Sequence, residues 1–284
     1  MRRRMRCSRC GIGNSLVVRS LVGLLFLSAS SQSALPEPAQ DALAAIAPIS
    51  AAFCEDMRAH HVLHAGAKVG CDRLRLVKFR YFGFDDNIHD DGEIVVMDAA
   101  ASHVLRIFDV LRTMRFPIFK ARPMNEFEGD DDAATRNNNT SAFNDRNVSG
   151  GSARSLHAYG LAIDLNPMQN PFLVRTGGSV RIDPPAAADY LDRTSKRPGM
   201  AEAVVRVFAN EGFLIWGGHW HNPIDYQHFQ ISRKMAEQLA AVPPSQAASE
   251  FDRVVELFRK CVQKYPPNAL PDRECVIQAD PAAE

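Results

Sequence analysis

The sequence predicts an α+β fold, and three observations lead to this class. Segments that alternate like strands and segments with the apolar spacing of helices both occur along the chain. They follow one another in mixed order, without the regular strand–helix–strand alternation of a parallel α/β protein. The chain has 284 residues, of which 46% are apolar and 23% charged, so it can bury a sizeable core.

The first half of the chain predicts two helices separated by strands. The second helix is amphipathic, and Asp98 is in position to cap it. In order, the predicted elements are a helix at 41–58, strands at 74–84 and 93–97, a helix at 98–115 and a strand at 116–121. The polar segment 123–153 has no periodicity. A loop this long in a compact domain is usually functional or disordered, and we expect a function because a histidine-containing motif follows it directly.

The second half predicts shorter elements. They are strands at 160–165 and 172–182, a helix at 200–211, strands at 212–216 and 227–232, a helix at 232–241, a linker at 242–249 and a helix at 251–264. The second of these strands is interrupted by a turn sequence, and a Pro-rich tail ends the chain.

The first 33 residues have the layout of a secretory signal peptide. Six arginines, five of them in the first ten residues, precede an apolar run at 21–27, and a stretch of small residues follows. The apolar run is shorter than the ~20 residues that cross a bilayer, so a retained anchor is the less favoured alternative. We therefore expect an exported protein, periplasmic or extracellular, with no stable membrane span after cleavage.

Removing that segment would make the chain acidic. The full sequence has 33 basic and 33 acidic residues, and six arginines but no acids lie in the first 33 positions. The remainder has 27 basic and 33 acidic groups, a formal charge of −6. Affinity for nucleic acid comes mainly from neutralising phosphates, so we expect no nucleic-acid partner.

Four cysteines remain after the predicted cleavage, namely Cys54, Cys71, Cys261 and Cys275. An even number in an exported chain predicts two disulfides, for which three pairings are possible. We favour Cys54 with Cys71 and Cys261 with Cys275, because each pair closes a short loop. A zinc cluster is the alternative, but the spacing lacks any C-x-x-C pair.

Two segments carry residues suited to metal chemistry. SLHAYGLAIDLNP, at 155–167, places His157 and Asp164 seven positions apart, and WGGHWHNPIDYQHFQI, at 216–231, contains three histidines and Asp225. A catalytic zinc commonly has three protein ligands and one open position, with a proton acceptor close by. His157, Asp164 and a downstream histidine could supply the ligands, and Asp225–His228 offers a base and a ligand three residues apart.

These motifs resemble the zinc D-alanyl-D-alanine carboxypeptidase family, which also contains L-alanyl-D-glutamate endopeptidases. The resemblance rests on S-x-H-x-x-G-x-A-x-D at 155–164, on W-G-G-x-W followed by D-x-x-H-F at 216–229, and on NNTSAFNDR at 138–146. It implies a small antiparallel sheet with flanking helices around a zinc cleft, similar to the lysostaphin-type peptidases and the hedgehog domain. The chain departs from several members in having aspartate rather than glutamate at 225.

Carried over by position, the resemblance implies one Zn²⁺ per chain held by three ligands, with a base and two substrate-facing residues. The ligands are His157, Asp164 and His228, the base is Asp225, Arg146 is catalytic and substrate-binding, and Ser155 is substrate-binding. Ser155 could instead cap a turn. His219 and His221 are expected at the rim of the site or behind the ligands.

The resemblance also implies a division of the chain and a function. We predict a signal peptide at 1–33, an N-terminal segment with Cys54 and Cys71 at 34–90, a zinc peptidase domain at 91–241, and a linker, helix and tail with Cys261 and Cys275 at 242–284. The implied activity is hydrolysis of peptidoglycan stem peptides, with D-alanyl-D-alanine carboxypeptidase favoured. The alternatives are an L-alanyl-D-glutamate type endopeptidase and a non-catalytic zinc module that binds the cell wall.

Overall fold

The computed structural model describes residues 44–148, 151–265 and 273–283. The predicted signal peptide, at 1–33, lies outside the described residues. Within these ranges, helices and small antiparallel sheets follow one another in mixed order, which confirms the predicted α+β class. In this part of the chain no helix is both long and apolar enough to span a membrane.

The first sheet has the antiparallel order β1–β2–β3, with β1 at Ala45–Pro48, β2 at Leu74–Phe82 and β3 at Ile88–Met97. Helix α1, Ala51–Ala59, follows β1, and Ser50 caps it by accepting the Phe53 N–H. The prediction of one helix over 41–58 is therefore wrong in its first part. Pro48 has no N–H and disfavours helical backbone in the residue before it, so this stretch pairs with the edge of β2 instead.

Helix α2, Ala101–Thr113, packs on the first sheet, where the ring of Phe108 stacks on Phe79 with centroids 3.7 Å apart. Asp98 does not cap this helix as predicted. A 3-10 turn, Asp98–Ala100, precedes α2, and the Asp98 carboxylate accepts hydrogen bonds from the Arg73 guanidinium, with the Nε–Oδ2 distance at 2.8 Å. The half-buried arginine is a stronger partner for the carboxylate than a helix N–H.

Residues 123–148 of the polar segment before the motif contain regular structure. Strand β4, Lys120–Ala121, pairs in parallel with β5, Asn139–Thr140, and helix α3, Asp131–Arg136, lies between them with Asp130 as its cap. The predicted strand at 116–121 is thus shortened to two residues. Asparagine side chains bind backbone groups here. Asn139, for example, accepts the Arg122 N–H and donates to the Arg122 carbonyl. Because polar side chains hold this structure, the sequence shows no hydrophobic periodicity.

Two further three-stranded antiparallel sheets form the region around the motifs, with orders β6–β11–β9 and β10–β7–β8. Their strands are β6 at Ala162–Asp164, β7 at Phe172–Thr176, β8 at Ser179–Asp183, β9 at Ile215–Trp216, β10 at Ile224–Asp225 and β11 at His228–Gln230. The strand predicted at 172–182 is therefore a hairpin of β7 and β8. The predicted strands at 212–216 and 227–232 are shorter in the structure.

The remaining helices are α4 at Val205–Asn210, α5 at Arg233–Ala241, α6 at Pro244–Val262 and α7 at Arg273–Ala279. The prediction of a linker at 242–249 is wrong, because α6 already begins at Pro244, and proline is well suited to the first turn of a helix. The disulfides Cys54–Cys71 and Cys261–Cys275 confirm the favoured pairing. The described residues from 44 onward fall in one compact unit, and the division into four segments stays a prediction.

Candidate metal centre

The structure brings the three predicted ligands together. Strands β6 and β11 are paired so that Asp164 lies directly opposite His228, and His157 lies in the 3-10 turn that precedes β6. The His157 Nε2 atom is 3.1 Å from Asp164 Oδ2 and 3.2 Å from His228 Nδ1, and His228 Nδ1 is 2.9 Å from Asp164 Oδ1. Two imidazole nitrogens and a carboxylate oxygen therefore converge on one point.

The turn that presents His157 is built by its neighbours. Ser155 caps it, since its Oγ accepts the His157 N–H at 3.2 Å. Gly160 ends it with a φ of +65°, and a Cβ on this residue would lie 2.6 Å from the Met97 nitrogen. Only glycine satisfies both the left-handed backbone and this close approach. The bend between His157 and Asp164 thus depends on Gly160.

Each histidine ring is oriented by a second hydrogen bond. His157 Nδ1–H donates to the Ala142 carbonyl at 2.6 Å, and His228 Nε2–H donates to Gln230 Oε1 at 2.8 Å. Because these acceptors take up one ring N–H of each residue, the opposite nitrogens, His157 Nε2 and His228 Nδ1, face the centre. Metal-binding histidines in proteins almost always have such a partner on the other nitrogen.

The electrostatics of the three groups suit a cation. Burial raises the pKa of Asp164, but the His157 and His228 imidazoles more than offset this and hold it well below its usual range. Burial lowers the pKa of His228, but its hydrogen bond to Asp164 dominates and raises it to about 9. Both shifts favour positive charge between these groups, and a metal ion would supply such a charge. The three donor atoms lie within 4.8 Å of one another, so they could hold one.

Asp225 lines the same cavity as the three donors. Burial raises the pKa of its carboxyl to about 7, and the nearby Asp164 adds to this while His228 opposes it. Its Oδ1 atom is buried and has no hydrogen-bond partner among the described residues. A buried unpaired carboxylate oxygen calls for a ligand, and the donor set next to it fits a zinc ion with a fourth position open.

Arg146 also lines the cavity, and its Nε is ion-paired with the carboxylate of Asp131. Asp131 is held in turn by Asn144, whose Nδ2–H donates to Oδ1 at 2.8 Å. Sequence reasoning did not include Asp131 in the site. Asp131 lies at the start of α3, and the sequence around it does not indicate a role in the site. Its contact with Arg146 arises only when the chain is folded.

The two extra histidines of the second motif lie outside the set of donors. His219 packs edge-to-face on Trp216 with ring centroids 5.0 Å apart, and burial lowers its pKa. Neither His219 nor His221 is among the described residues that line the cavity. Trp220 does line it, and its ring centroid is 5.5 Å from that of His228. Trp220 therefore forms part of the cavity wall.

The cavity itself has a volume of about 310 Å³ and mixed charge. Besides the donors it is lined by acids and bases from several elements, including Asp132, Arg146, Arg181, Asp183 and Arg233. Such a charged cleft beside a candidate metal-binding cluster suits a polar ligand.

Residues 149–231 match the family model described as D-alanyl-D-alanine carboxypeptidase. This confirms the family resemblance for that segment. The match contains all three donors and Asp225 but begins after Arg146. At the level of the family it supports a metallopeptidase related to peptidoglycan, and with the two disulfides it supports an exported protein. No curated protein and no solved structure matches the chain.

Proposed function

We propose that this chain is a zinc-dependent peptidase that hydrolyses peptidoglycan stem peptides as a D-alanyl-D-alanine carboxypeptidase. The observation that carries the proposal is the position of Asp225, whose carboxylate Oδ1 is buried and which lines the same cavity as three convergent donors. All four residues lie inside the segment that matches the carboxypeptidase family. A purely structural or binding module has no use for a proton acceptor at this place.

In this proposal, His157 Nε2, the Asp164 carboxylate and His228 Nδ1 would hold one zinc ion per chain. Two imidazoles and a carboxylate are a common ligand set for catalytic zinc. When bound, zinc polarises a carbonyl oxygen and lowers the pKa of a water from 15.7 to about 7. The Ala142 carbonyl and Gln230 keep both rings in the required orientation.

The chain's own residues then transfer the proton of the attacking water and stabilise the negative charge on the carbonyl oxygen. Asp225 accepts a proton from the attacking water at its buried carboxylate and returns it to the leaving amine nitrogen. A pKa raised to about 7 makes the same group a usable base and acid near neutral pH.

Arg146 stabilises the negative charge that develops on the carbonyl oxygen. One such donor is typically worth ~3–4 kcal/mol of barrier. Asp131 holds the guanidinium in the cavity wall. Ser155 is proposed to bind substrate, since its hydroxyl lines the cavity and can donate while its oxygen accepts the His157 N–H.

The direct test is to incubate the mature protein and zinc with purified stem peptides and to identify the products by mass spectrometry. Release of D-alanine is the expected result. Cleavage after L-alanine would instead indicate the endopeptidase activity of the same family, and the absence of any product would indicate a non-catalytic zinc module.

Two variants separate the base from the ligands. We expect Asp225→Ala to keep its zinc but to lose at least about 100-fold in kcat, because the proton acceptor is gone while the ligands remain. His228→Ala should lose both zinc and activity. Zinc content by mass spectrometry and turnover on the same samples check this, and wild-type turnover by Asp225→Ala would refute the base assignment.

A further inference from the structure

One wall of the cavity is formed by the sheet β10–β7–β8. In this sheet Asp225 of β10 lies opposite Phe172 of β7, and Phe172 lies opposite Asp183 of β8. Residues directly opposite each other in antiparallel strands have their side chains close together on one face. These three side chains therefore form a row that leads away from the candidate base and across the sheet.

Arg181 extends this row. It lies two residues before Asp183 on β8, and alternate residues of a strand share a face. Its guanidinium Cζ is 5.4 Å from the ring centroid of Phe172, so the side chain leans across the strand next to the one that carries Asp225. Phe172, Asp183 and Arg181 all line the cavity.

Three arginines line this cavity, and they differ in their partners. Arg146 is ion-paired with Asp131, and Arg233 Nη1 donates to the Arg154 carbonyl at 2.8 Å. No hydrogen bond and no ion pair within 4.0 Å joins the Arg181 guanidinium to the described residues. Arg181 is an exposed residue of the cavity lining, and its charge opposes the rise that burial causes in the pKa of the neighbouring Asp183 carboxyl. None of the five N–H donors of its guanidinium is taken by a described residue, so they are available to a ligand in the cavity.

The distance between Asp225 and Arg181 limits which part of a substrate can reach Arg181. Neighbouring strands lie about 4.8 Å apart, which places β8 roughly 10 Å from β10. An extended peptide advances about 3.3–3.6 Å per residue, so a group within about three residues of the attacked bond can reach Arg181. The planar fork of a guanidinium matches the two oxygens of a carboxylate.

We propose that Arg181 binds a carboxylate of the peptide substrate and thereby sets specificity, an inference that rests on the proposed peptidase function. A stem peptide offers two sources of this group, its terminal carboxylate and the carboxylate of its acidic residue. Both have the same chemistry, and the proposal covers either one. Arg181 is a substrate-binding residue and takes no part in the bond-breaking step.

The test measures binding of three peptides by calorimetry to zinc-loaded full chain carrying Asp225→Asn, which slows cleavage. The peptides are a stem pentapeptide, its C-terminal amide, and the analogue amidated at the α-carboxylate of the glutamate. We expect one of the two amides to bind about ten- to hundredfold more weakly than the acid, as is typical for losing a hydrogen bond to a charged group. When Arg181→Gln is added to the Asp225→Asn chain, the stem pentapeptide and that amide should bind with equal affinity.

Arg175→Gln is the matched control. It removes the same charge from the same hairpin. Phe172 and Val174 share one face of β7, so Arg175 lies on the opposite face, and it is not among the residues that line the cavity. With Arg175→Gln the difference between acid and amide should remain. If Arg181→Gln also keeps that difference, or if neither amide binds more weakly than the acid to the Asp225→Asn chain, the proposal is wrong.

Parallel hydrolysis assays on chains with Asp225 intact keep the two proposals apart. Hydrolysis without any dependence on Arg181 would overturn the specificity role alone. Arg181-dependent binding without hydrolysis would overturn the peptidase function alone, while the carboxylate site would stand.

Discussion

His228 uses its two ring nitrogens for different purposes. Nδ1 faces Asp164 and His157, whereas Nε2 donates its hydrogen to Gln230 two residues further along β11. Because alternate residues of a strand share a face, Gln230 is placed beside the ring without any further element. The orientation of the His228 ring in the candidate metal centre is therefore fixed within three residues.

We predict that Gln230→Leu weakens zinc affinity about 10- to 100-fold, because the ring loses the acceptor that fixes its orientation. Gln230→Glu is the matched control, since it keeps an acceptor of the same length and should retain the affinity. Competition with a zinc chelator measures both. Equal affinity of Gln230→Leu and wild type would show that the ring is held by other contacts.

At the scale of elements, the segment after α1 positions Arg146. Asp145 N–H donates to the Val62 carbonyl at 2.9 Å, the Asp145 carboxylate accepts the His64 N–H at 3.1 Å, and His64 Nδ1 bonds the Asp145 carbonyl at 2.9 Å. Three hydrogen bonds thus tie the loop closed by the Cys54–Cys71 disulfide to the residue next to Arg146. His64 therefore has a structural role next to Arg146, a residue of the cavity lining.

A second cluster joins three helices. Glu211, directly after α4, accepts hydrogen bonds from His103 Nδ1 at 2.9 Å and Arg106 Nε at 3.0 Å, both on α2, and is ion-paired with Arg259 on α6. Burial raises the pKa of Glu211, but the His103 hydrogen bond and the two arginines more than offset this, so its pKa is lowered. The folded state therefore favours the charged carboxylate.

We predict that Glu211→Gln lowers the free energy of unfolding at pH 7 by about 1–3 kcal/mol, the range for hydrogen bonds to a charged group. Because the pKa of Glu211 is lower in the folded state, its ionised carboxylate stabilises the fold at pH values above the unfolded-state pKa of about 4.3. This stabilisation is lost as the pH falls through the folded-state pKa. The difference from wild type should thus be constant from pH 6 to 8 and shrink below about pH 4.

Urea denaturation across this pH range tests the prediction, with exposed Glu237→Gln on α5 as the control that should change little. A Glu211→Gln deficit that grows on acidification would contradict the sign derived from the lowered pKa.

At the scale of the whole molecule, α6 packs against the hydrophobic core and forms part of it. Phe251 and Phe258 on its inner face are fully buried, and the Phe251 ring lies 6.3 Å from Phe213 and 4.9 Å from His103. A Cβ on Gly212 would come within 2.7 Å of the Phe251 ring, so glycine is needed for this close packing. The C-terminal region is thus part of the same hydrophobic core as α2 and α4.

We predict that Phe251→Ala lowers the free energy of unfolding by about 3–5 kcal/mol, because it leaves a cavity between α6 and the rest of the core. Exposed Glu256→Gln on the same helix should have little effect. Chemical denaturation measures both. An unchanged midpoint for Phe251→Ala would mean that α6 contributes little to the stability of the fold.

The accuracy of the sequence-based fold prediction depends on how local each signal is. α2 and α5 follow from helical spacing of apolar residues, and the disulfide pairing from loop length. The first part of the helix predicted at 41–58 and the linker at 242–249 are wrong, because Ala-rich and Pro-containing stretches take their conformation from β2 and from the core that they contact.

By itself, the sequence determined which residues could form the candidate metal centre, because two short motifs contain His157, Asp164, Asp225 and His228 at the required spacing. Only the tertiary structure decided how those side chains are held and what surrounds them. Gln230 behind His228, Asp131 behind Arg146 and Arg181 in the cavity wall depend on contacts of strands and loops distant along the chain. Strand register and side-chain packing are set by the whole core at once, so no local pattern in the sequence records them.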